Sequence, residues 1–316
     1  MENSFTLLEA AHWKDYALLD SGDGLKLERF GKYVFVRPEA QAMWKRSLDS
    51  EWRQADAVFI STGEESGGHW DVKRKVDERW EMRYDLTPRP PLLKGEGVLK
   101  FWAMTTPGRH LGVFPEVASH WDFMSDLIHQ ADLHPEQSRR ASPNVLNLFG
   151  YTGLASLAAA AAGAKVTHVD ASKKSVSWAR ENQALSQLED KPIRWIVDDA
   201  LKFVQREARR GVKYDGIILD PPKFGRGPKG EVWEVYKSLP NLLEACRACL
   251  SENPLFVITT IYAVRASPIH VAQAIADMMK GFGGRIEMGE LVTREQSAER
   301  LLPQAVYGRW KNSSIN

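Results

Sequence analysis

The chain has 316 residues, 43% of them hydrophobic and 26% charged, with 42 Lys and Arg against 41 Asp and Glu for a net charge of +1. That length and balance suit a globular protein with one large domain, a smaller one and a substantial core. Near neutrality argues against a long surface for duplex nucleic acid built on many phosphate contacts, so any nucleic-acid contact should be local.

In chain order, the N-terminus MENSFTLLEAAHWKD lacks a basic region followed by an apolar core and does not read as a signal peptide. Tyr16–Leu19, Leu25–Phe30 and Tyr33–Arg37 are short strand-like runs separated by Ser-Gly-Asp-Gly (21–24) and Gly31-Lys32, turns that favour hairpins. Gly63–Gly68 reads as a loop. Arg79–Asp85 and Val98–Thr105 flank the Pro-rich Thr87–Gly97 and predict a longer hairpin. A domain boundary is expected between about residues 105 and 120, which divides the chain into a β-rich region 1–110, suited to RNA or subunit contact, and a region 111–316.

From Asn144 onward strands and helices alternate. Strands are expected at Asn144–Phe149, Lys165–Asp170, Ile193–Asp198, Tyr214–Asp220, Leu255–Thr260 and Arg285–Val292. Helices are expected at Leu154–Ala162, Lys173–Gln187, Ala200–Arg210, Leu239–Leu250 and Ile269–Gly281, and Ala305–Trp310 reads as an antiparallel edge strand. The alternation predicts an α/β fold: a doubly wound, seven-stranded, mostly parallel sheet. The most apolar run, Leu154 to Ala164, is interrupted by Ser156 and Gly163 and falls far short of the roughly 18 residues of a membrane helix. Cys246 and Cys249 are the only cysteines and form a single C-x-x-C. With no second pair and no His at ligand spacing, they read as buried, inert thiols, and their scarcity fits a reducing cytoplasm. His110, His120, His129 and His134 show no ligand spacing either, so no metal is expected. Trp44, Trp52, Trp70 and Trp80 read as structural anchors.

Four short segments sit at the carboxyl ends of successive strands, where open α/β sheets bind ligands. In Asn147-Leu-Phe-Gly-Tyr-Thr-Gly153, Gly150 and Gly153 permit a sharp turn and a close backbone approach. The next helix then aims its amide-rich N-terminus at the crevice. The pattern is G-x-x-G, so the pyrophosphate fingerprint of a dinucleotide site is missing. Asp170, 20 residues past Gly150, can accept from ribose hydroxyls. The competing reading is a helix N-cap, which Asp170 or Ser172 could supply. Asp199, or Asp198, can accept from an adenine amino group, again in competition with capping. In Asp220-Pro221-Pro222-Lys223-Phe224 the prolines rigidify the backbone and leave outward carbonyls, and Phe224 offers a stacking face. Lys223, Arg226 and Lys229 form a basic stretch for phosphates.

NLFGYTG (147–153), VDAS (169–172), DDA (198–200) and DPPKF (220–224) resemble class I S-adenosylmethionine-dependent methyltransferases. More closely they resemble the bacterial large-subunit (23S) ribosomal RNA methyltransferases that carry a hairpin domain before the catalytic one. LKFWAMTTPGRHLGVFPE (99–116) adds the lead-in strand and turn, and the resemblance covers roughly residues 80–262. It implies S-adenosylmethionine as cofactor, lined by Phe149, Gly150, Thr152, Gly153, Asp170, Ala171, Asp199 and Asp220. Asn147, Tyr151, Ser172 and Ala200 are candidates within the same motifs, as is Phe114 in the lead-in. Where the family has D-Q-R, this chain has Pro115-Glu116-Val117, so Glu116 is the candidate holder of the methionine amino group and the arginine is lost.

Relatives that methylate cytosine C5 need a cysteine nucleophile after the fifth strand, and Thr259-Thr260-Ile261-Tyr262-Ala263 has none. Tyr262 reads as a second stacking face or a core residue. Methyl transfer to a base nitrogen of structured ribosomal RNA, with Asp220, Pro221, Pro222, Lys223 and Phe224 at the acceptor, is the expected function. The alternatives are a small-molecule or protein methyltransferase and a non-catalytic RNA-binding module. A homodimer is compatible with the sequence.

Overall fold

The computed structural model of the chain describes residues 3–10, 12–62, 67–86, 97–133, 142–262 and 267–314. Most of the Gly63–Gly68 loop and of Thr87–Gly97 lies outside them. The chain opens with β1 (Asn3–Glu9) and then builds a five-stranded sheet from β2 (Tyr16–Gly22), β3 (Leu25–Phe30), β4 (Tyr33–Pro38), β5 (Ala57–Ser61) and β6 (Gly68–Val72). The short α1 (Asp49–Arg53) lies between β4 and β5, and the antiparallel hairpin β7 (Trp80–Asp85) and β8 (Val98–Ala103) follows. A 3-10 turn at Pro115–Val117 leads into α2 (Ala118–Leu133).

The second part alternates as expected: β9 (Asn144–Leu148), α3 (Leu154–Ala161), β10 (Lys165–Asp170), α4 (Lys173–Leu185), β11 (Ile193–Val197), α5 (Ala200–Arg209) and β12 (Gly216–Leu219). A small hairpin, β13 (Phe224–Arg226) and β14 (Val232–Glu234), precedes α6 (Val235–Ala248) and β15 (Phe256–Tyr262). The chain closes with α7 (Pro268–Met278), β16 (Arg285–Arg294) and β17 (Leu301–Lys311). The main sheet has the order β1-β16-β17-β15-β12-β9-β10-β11. Its centre is parallel, and β17 is antiparallel to both neighbours.

Two sequence expectations change here. The strand read at Ala305–Trp310 is antiparallel but internal, hydrogen-bonded to β15 on one side and β16 on the other. The seven strands expected are extended by an eighth, β1, which pairs in parallel with β16. A strand that precedes a different sheet carries no local sign of which sheet it joins, so this pairing was invisible in the sequence.

The layers follow from residue size. Ala158, Ala159 and Ala160 are fully buried, so α3 lies close against the sheet. On that same side one continuous core runs from α2 and α3 into the aromatic interior of the N-terminal region, including Trp13, Phe30, Phe35, Trp80, Tyr84, Phe101 and Trp121. Trp13 packs edge-on against Trp121, with ring centroids 5.6 Å apart, and Phe35 stacks on Trp80 at 5.5 Å. Trp52 is also anchored inside, its indole donating to Asp20 at 2.7 Å. The opposite face of the sheet buries Leu146, Leu148, Phe203, Leu219, Leu242 and Val257. Among the described residues no helix is long and apolar enough to cross a membrane.

Gly289 in β16 faces Thr6 of β1, and a Cβ there would run into the Thr6 carbonyl. Gly289→Ala should detach β1. Hydrogen exchange over residues 3–9 would then accelerate about tenfold or more, with a stability loss of roughly 1–3 kcal/mol.

Candidate active site

From β9 the chain winds outward through β10 and β11, and from β12 it winds the other way through β15, so the sheet reverses direction between β9 and β12. A crevice opens at such a reversal, outside the carboxyl ends of the strands. The four segments singled out in the sequence meet there.

The turn after β9 is held by its backbone. Phe149, Tyr151 and Gly153 have φ of 58°, 49° and 85°. Gly150 donates to the Val169 carbonyl at 3.1 Å, and Tyr151 donates to Asp170 Oδ2 at 2.9 Å. Glycine is required at 150 by proximity and not by φ, because a Cβ would overlap the His168 ring. At 153 both reasons apply, since a Cβ would also press on Ala179 and Trp195. Asn147 lies beneath the turn, buried, and its amide donates to Ser156 Oγ at 2.8 Å. Ser156 in turn meets His168 Nδ1 at 3.0 Å, and burial pushes the His168 pKa down to about 3. Asn147 and His168 therefore support the turn from inside, and neither side chain reaches the crevice.

The capping question is resolved residue by residue. Ser172 caps α4, accepting from Ser175 N at 3.2 Å. Asp170 is free of that task and accepts from Ser172 N at 2.8 Å as well as from Tyr151 N. Burial raises its pKa, against the pull of those two amides. A carboxylate has about four lone-pair sites, so Asp170 retains capacity for a ligand. Asp199 caps α5, accepting from Lys202 N at 2.9 Å, and Ala200 opens that helix, buried. Asp198 is engaged by the amide of Asp199 and the guanidinium of Arg206.

Asp220 follows β12, and its Oδ1 is buried with no hydrogen-bond partner among the described residues. Burial, assisted by the charge of Glu116, pushes its pKa up to about 8. Glu116, buried in the 3-10 turn, is itself raised by burial, while Lys26 and Arg37 pull the other way. Tyr262 ends β15, and burial together with both carboxylates raises its hydroxyl well above the ordinary value. Phe114 packs against Tyr262 at 5.1 Å, Tyr151 at 5.8 Å and His110 at 4.7 Å, which makes an aromatic collar beside the two acids. Burial, with Arg37 adding, pushes His110 down to about 3, so it stays neutral.

The Asp-Pro-Pro segment differs from expectation in one respect. The Pro222 carbonyl does not face outward, because the indole of Trp233 donates to it at 2.7 Å. Trp233 also packs on Phe149 at 4.8 Å and so ties this segment to the glycine turn. Phe224 stands 54% exposed on β13, with the Lys223 ammonium 5.1 Å from its ring centre. Cys246 and Cys249 are fully buried on α6 and at its end, and burial pushes the Cys249 thiol up to about 11. Thr259, Thr260, Ile261 and Tyr262, expected after the fifth strand, lie within β15. Residues 263–266 lie outside the described ones, and their sequence holds no cysteine.

Sequence reading missed the charges behind the collar. Arg37 on β4 donates twice to Glu28 at 2.7 Å, Tyr16 donates to Glu28 at 2.9 Å, and Lys26 sits 3.5 Å from Glu39. Burial alone would raise Glu28, but Arg37 and Lys26 hold it down to about 2. The N-terminal sheet thus brings cations near Glu116, where the family pattern had lost its arginine. No local signal marks them, because they lie on alternating strands far away in sequence.

Comparison with known proteins agrees with this geometry. A solved S-adenosylmethionine-dependent methyltransferase from Agrobacterium tumefaciens is 44% identical, with a TM-score of 0.85 over 98% of this chain and 96% of that one. The chain belongs to the S-adenosylmethionine-dependent methyltransferases. S-adenosylmethionine is its cofactor. A solved Streptococcus mutans chain of the same class, 18% identical with a TM-score of 0.66 over 95% of this chain and 76% of that one, shows the fold alone. The family described as Conserved hypothetical protein 95 matches residues 127–252 of this methyltransferase. A Shewanella sp. (strain ANA-3) protein named Ribosomal RNA large subunit methyltransferase K/L is 41% identical over 112 residues, which are 34% of this chain and 16% of that protein. Its Hahella chejuensis namesake is 29% identical over 200 residues, 62% of this chain and 26% of that one. The methyltransferase thus spans only a small part of those curated relatives.

Folded, Asp220 keeps its proton up to about pH 8; unfolded, it releases it near the ordinary value of about 3.9. The ligand-free protein should therefore lose stability as pH rises across that window and level off above it. Asp220→Asn removes the titration, so its melting-temperature advantage over wild type should widen from pH 5 to pH 8. A gap that stays constant would show that Asp220 titrates normally.

Proposed function

We propose that this methyltransferase modifies a base nitrogen of ribosomal RNA without a covalent cysteine intermediate. The observation that carries the reading is Asp220, half-buried with an Oδ1 that is buried and has no partner among the described residues, four residues before the exposed Phe224. The names of the Shewanella and Hahella relatives support RNA as the substrate class.

Several residues fit the cofactor. The turn at Gly150 and Gly153, packed too closely on His168, Ala179 and Trp195 to admit a Cβ, presents its backbone at the crevice. In this reading Phe149, Tyr151 and Thr152 shape that turn, Asp170 with Ala171 takes the ribose, and Asp199 with Ala200 takes the adenine edge. Glu116 takes the methionine ammonium, which would restore the ionised state that burial now disfavours. Bound S-adenosylmethionine supplies an electrophilic methyl group on sulfur.

The acceptor base stacks on Phe224, and the collar of Phe114 and Tyr262 excludes water from the transfer line. Pro221 stiffens the approach, Pro222 is fixed by Trp233, and Lys223 and Arg226 face the RNA backbone. An exocyclic amine sheds a proton once methylated, and Asp220 can take it in its ionised form, which becomes populated as pH approaches 8. That favours an exocyclic amine over a ring nitrogen such as guanine N7, which has no proton to lose.

Labelled methyl from S-adenosylmethionine should enter ribosomal RNA taken from cells lacking the gene, at one mapped nucleotide. Label confined to protein or small molecules would reject the RNA reading. Phe224→Ala should lower kcat/KM for RNA by about 5- to 150-fold, the worth of one stacked base, and leave cofactor affinity unchanged. The double variant Cys246→Ala, Cys249→Ala should retain methyl transfer at a stability cost of about 1–2 kcal/mol. Loss of transfer in a folded double variant would restore covalent catalysis.

A further inference from the structure

The helix α4 docks on the outer edge of β8 through side chains spaced four apart, and therefore on one face. Ser186, at its C-terminal end, accepts from Lys100 N at 3.0 Å and donates to Lys100 O at 2.6 Å. Asn182 Oδ1 accepts from Trp102 N at 2.9 Å, and the Trp178 indole donates to Trp102 O at 3.0 Å. A helix face thus supplies the hydrogen bonds that a neighbouring strand would otherwise give.

Asn182 does more than satisfy that edge. It is fully buried, and its Nδ2 donates to the carbonyl of Thr152, inside the glycine turn, at 2.9 Å. Thr152 is buried too, with its hydroxyl turned away from the crevice to donate to the Gly112 carbonyl at 2.7 Å. Gly112 has φ of 90° and lies so close to Trp178 that a Cβ would overlap the indole. The contacts close a circuit: Trp102, Asn182, Thr152, Gly112, Trp178 and back to Trp102. It joins the β7–β8 hairpin to both lips of the crevice, the glycine turn on one side and the lead-in to Phe114 and Glu116 on the other.

We infer that Asn182 is a positioning residue for S-adenosylmethionine, setting the glycine turn against the lead-in from a place no ligand touches. The inference rests on the cofactor assignment made above. The polarity of its partners defines the residue it must be: one backbone N–H needs an acceptor and one backbone carbonyl needs a donor. Asparagine provides both at this length. Leucine fills a similar space and provides neither. Asn182→Leu therefore keeps the volume while leaving the Trp102 N–H and the Thr152 carbonyl buried without partners.

The test is calorimetric titration with S-adenosylhomocysteine, alongside thermal melting. Asn182→Leu should weaken binding tenfold or more, and in turnover the cofactor KM should rise more than kcat falls. Ser186→Ala, which cuts the same helix–strand seam without touching the turn, should bind within twofold of wild type. If Asn182→Leu does not fold, Thr152→Val cuts the circuit at another bond and should weaken binding several-fold. Wild-type-like affinity in a folded Asn182→Leu or Thr152→Val protein overturns the inference, as does equal weakening in Ser186→Ala. Failure of the wild type itself to bind would instead overturn the cofactor assignment.

Discussion

The close approach of the Gly150 backbone to His168 is the constraint on which the site depends. It lets the turn after β9 lean onto β10, where Val169 and Asp170 take its amides. Once the turn is fixed there, Asp170 is held at the crevice by bonds from both sides, and α3 starts at the angle that packs its alanines on the sheet. A methyl group at position 150 would push the turn off the neighbouring strand and disturb all of these at once.

How much of this was legible depended on the range of the interaction. The alternation of strands and helices from Asn144 is a local pattern, and it predicted the main-sheet strands from Asn144 onward and the helices between them to within about four residues, but not the β13–β14 hairpin. The acidic residues at strand ends were legible as a set, because order and spacing place them on one edge of a parallel sheet. Their individual tasks were not. Sequence allowed Asp170 or Ser172 to cap α4, and the choice turns on a hydroxyl that reaches Ser175 N. The carbonyl of Pro222 was read as outward because nothing local indicates that Trp233, eleven residues on, would claim it.

The least legible parts are the longest-range ones. Glu28, Arg37 and Lys26 look like an ordinary alternating charged face of two strands, yet they are buried against the lead-in. Buried ion pairs are a weak source of stability, since desolvation offsets most of their attraction. Their value here lies in the electrostatics of Glu116 and His110, which they bias from the N-terminal sheet. Asn182 is a similar case. In sequence it is one polar residue in a polar helix, and only the fold gives it two backbone partners from different segments.

The placement of β1 has a consequence for how the molecule is made. β1 pairs with residues 286–292, far away along the chain, and not with the strands that follow it. Contacts of such sequence separation form late and slowly. Until that pairing forms, the apolar segment around Phe5 and Leu7 has no partner in the main sheet, an edge open to other chains. Order along the chain and order of assembly are therefore uncoupled at this edge, and the sheet is sealed by a strand whose neighbours in sequence belong to another sheet.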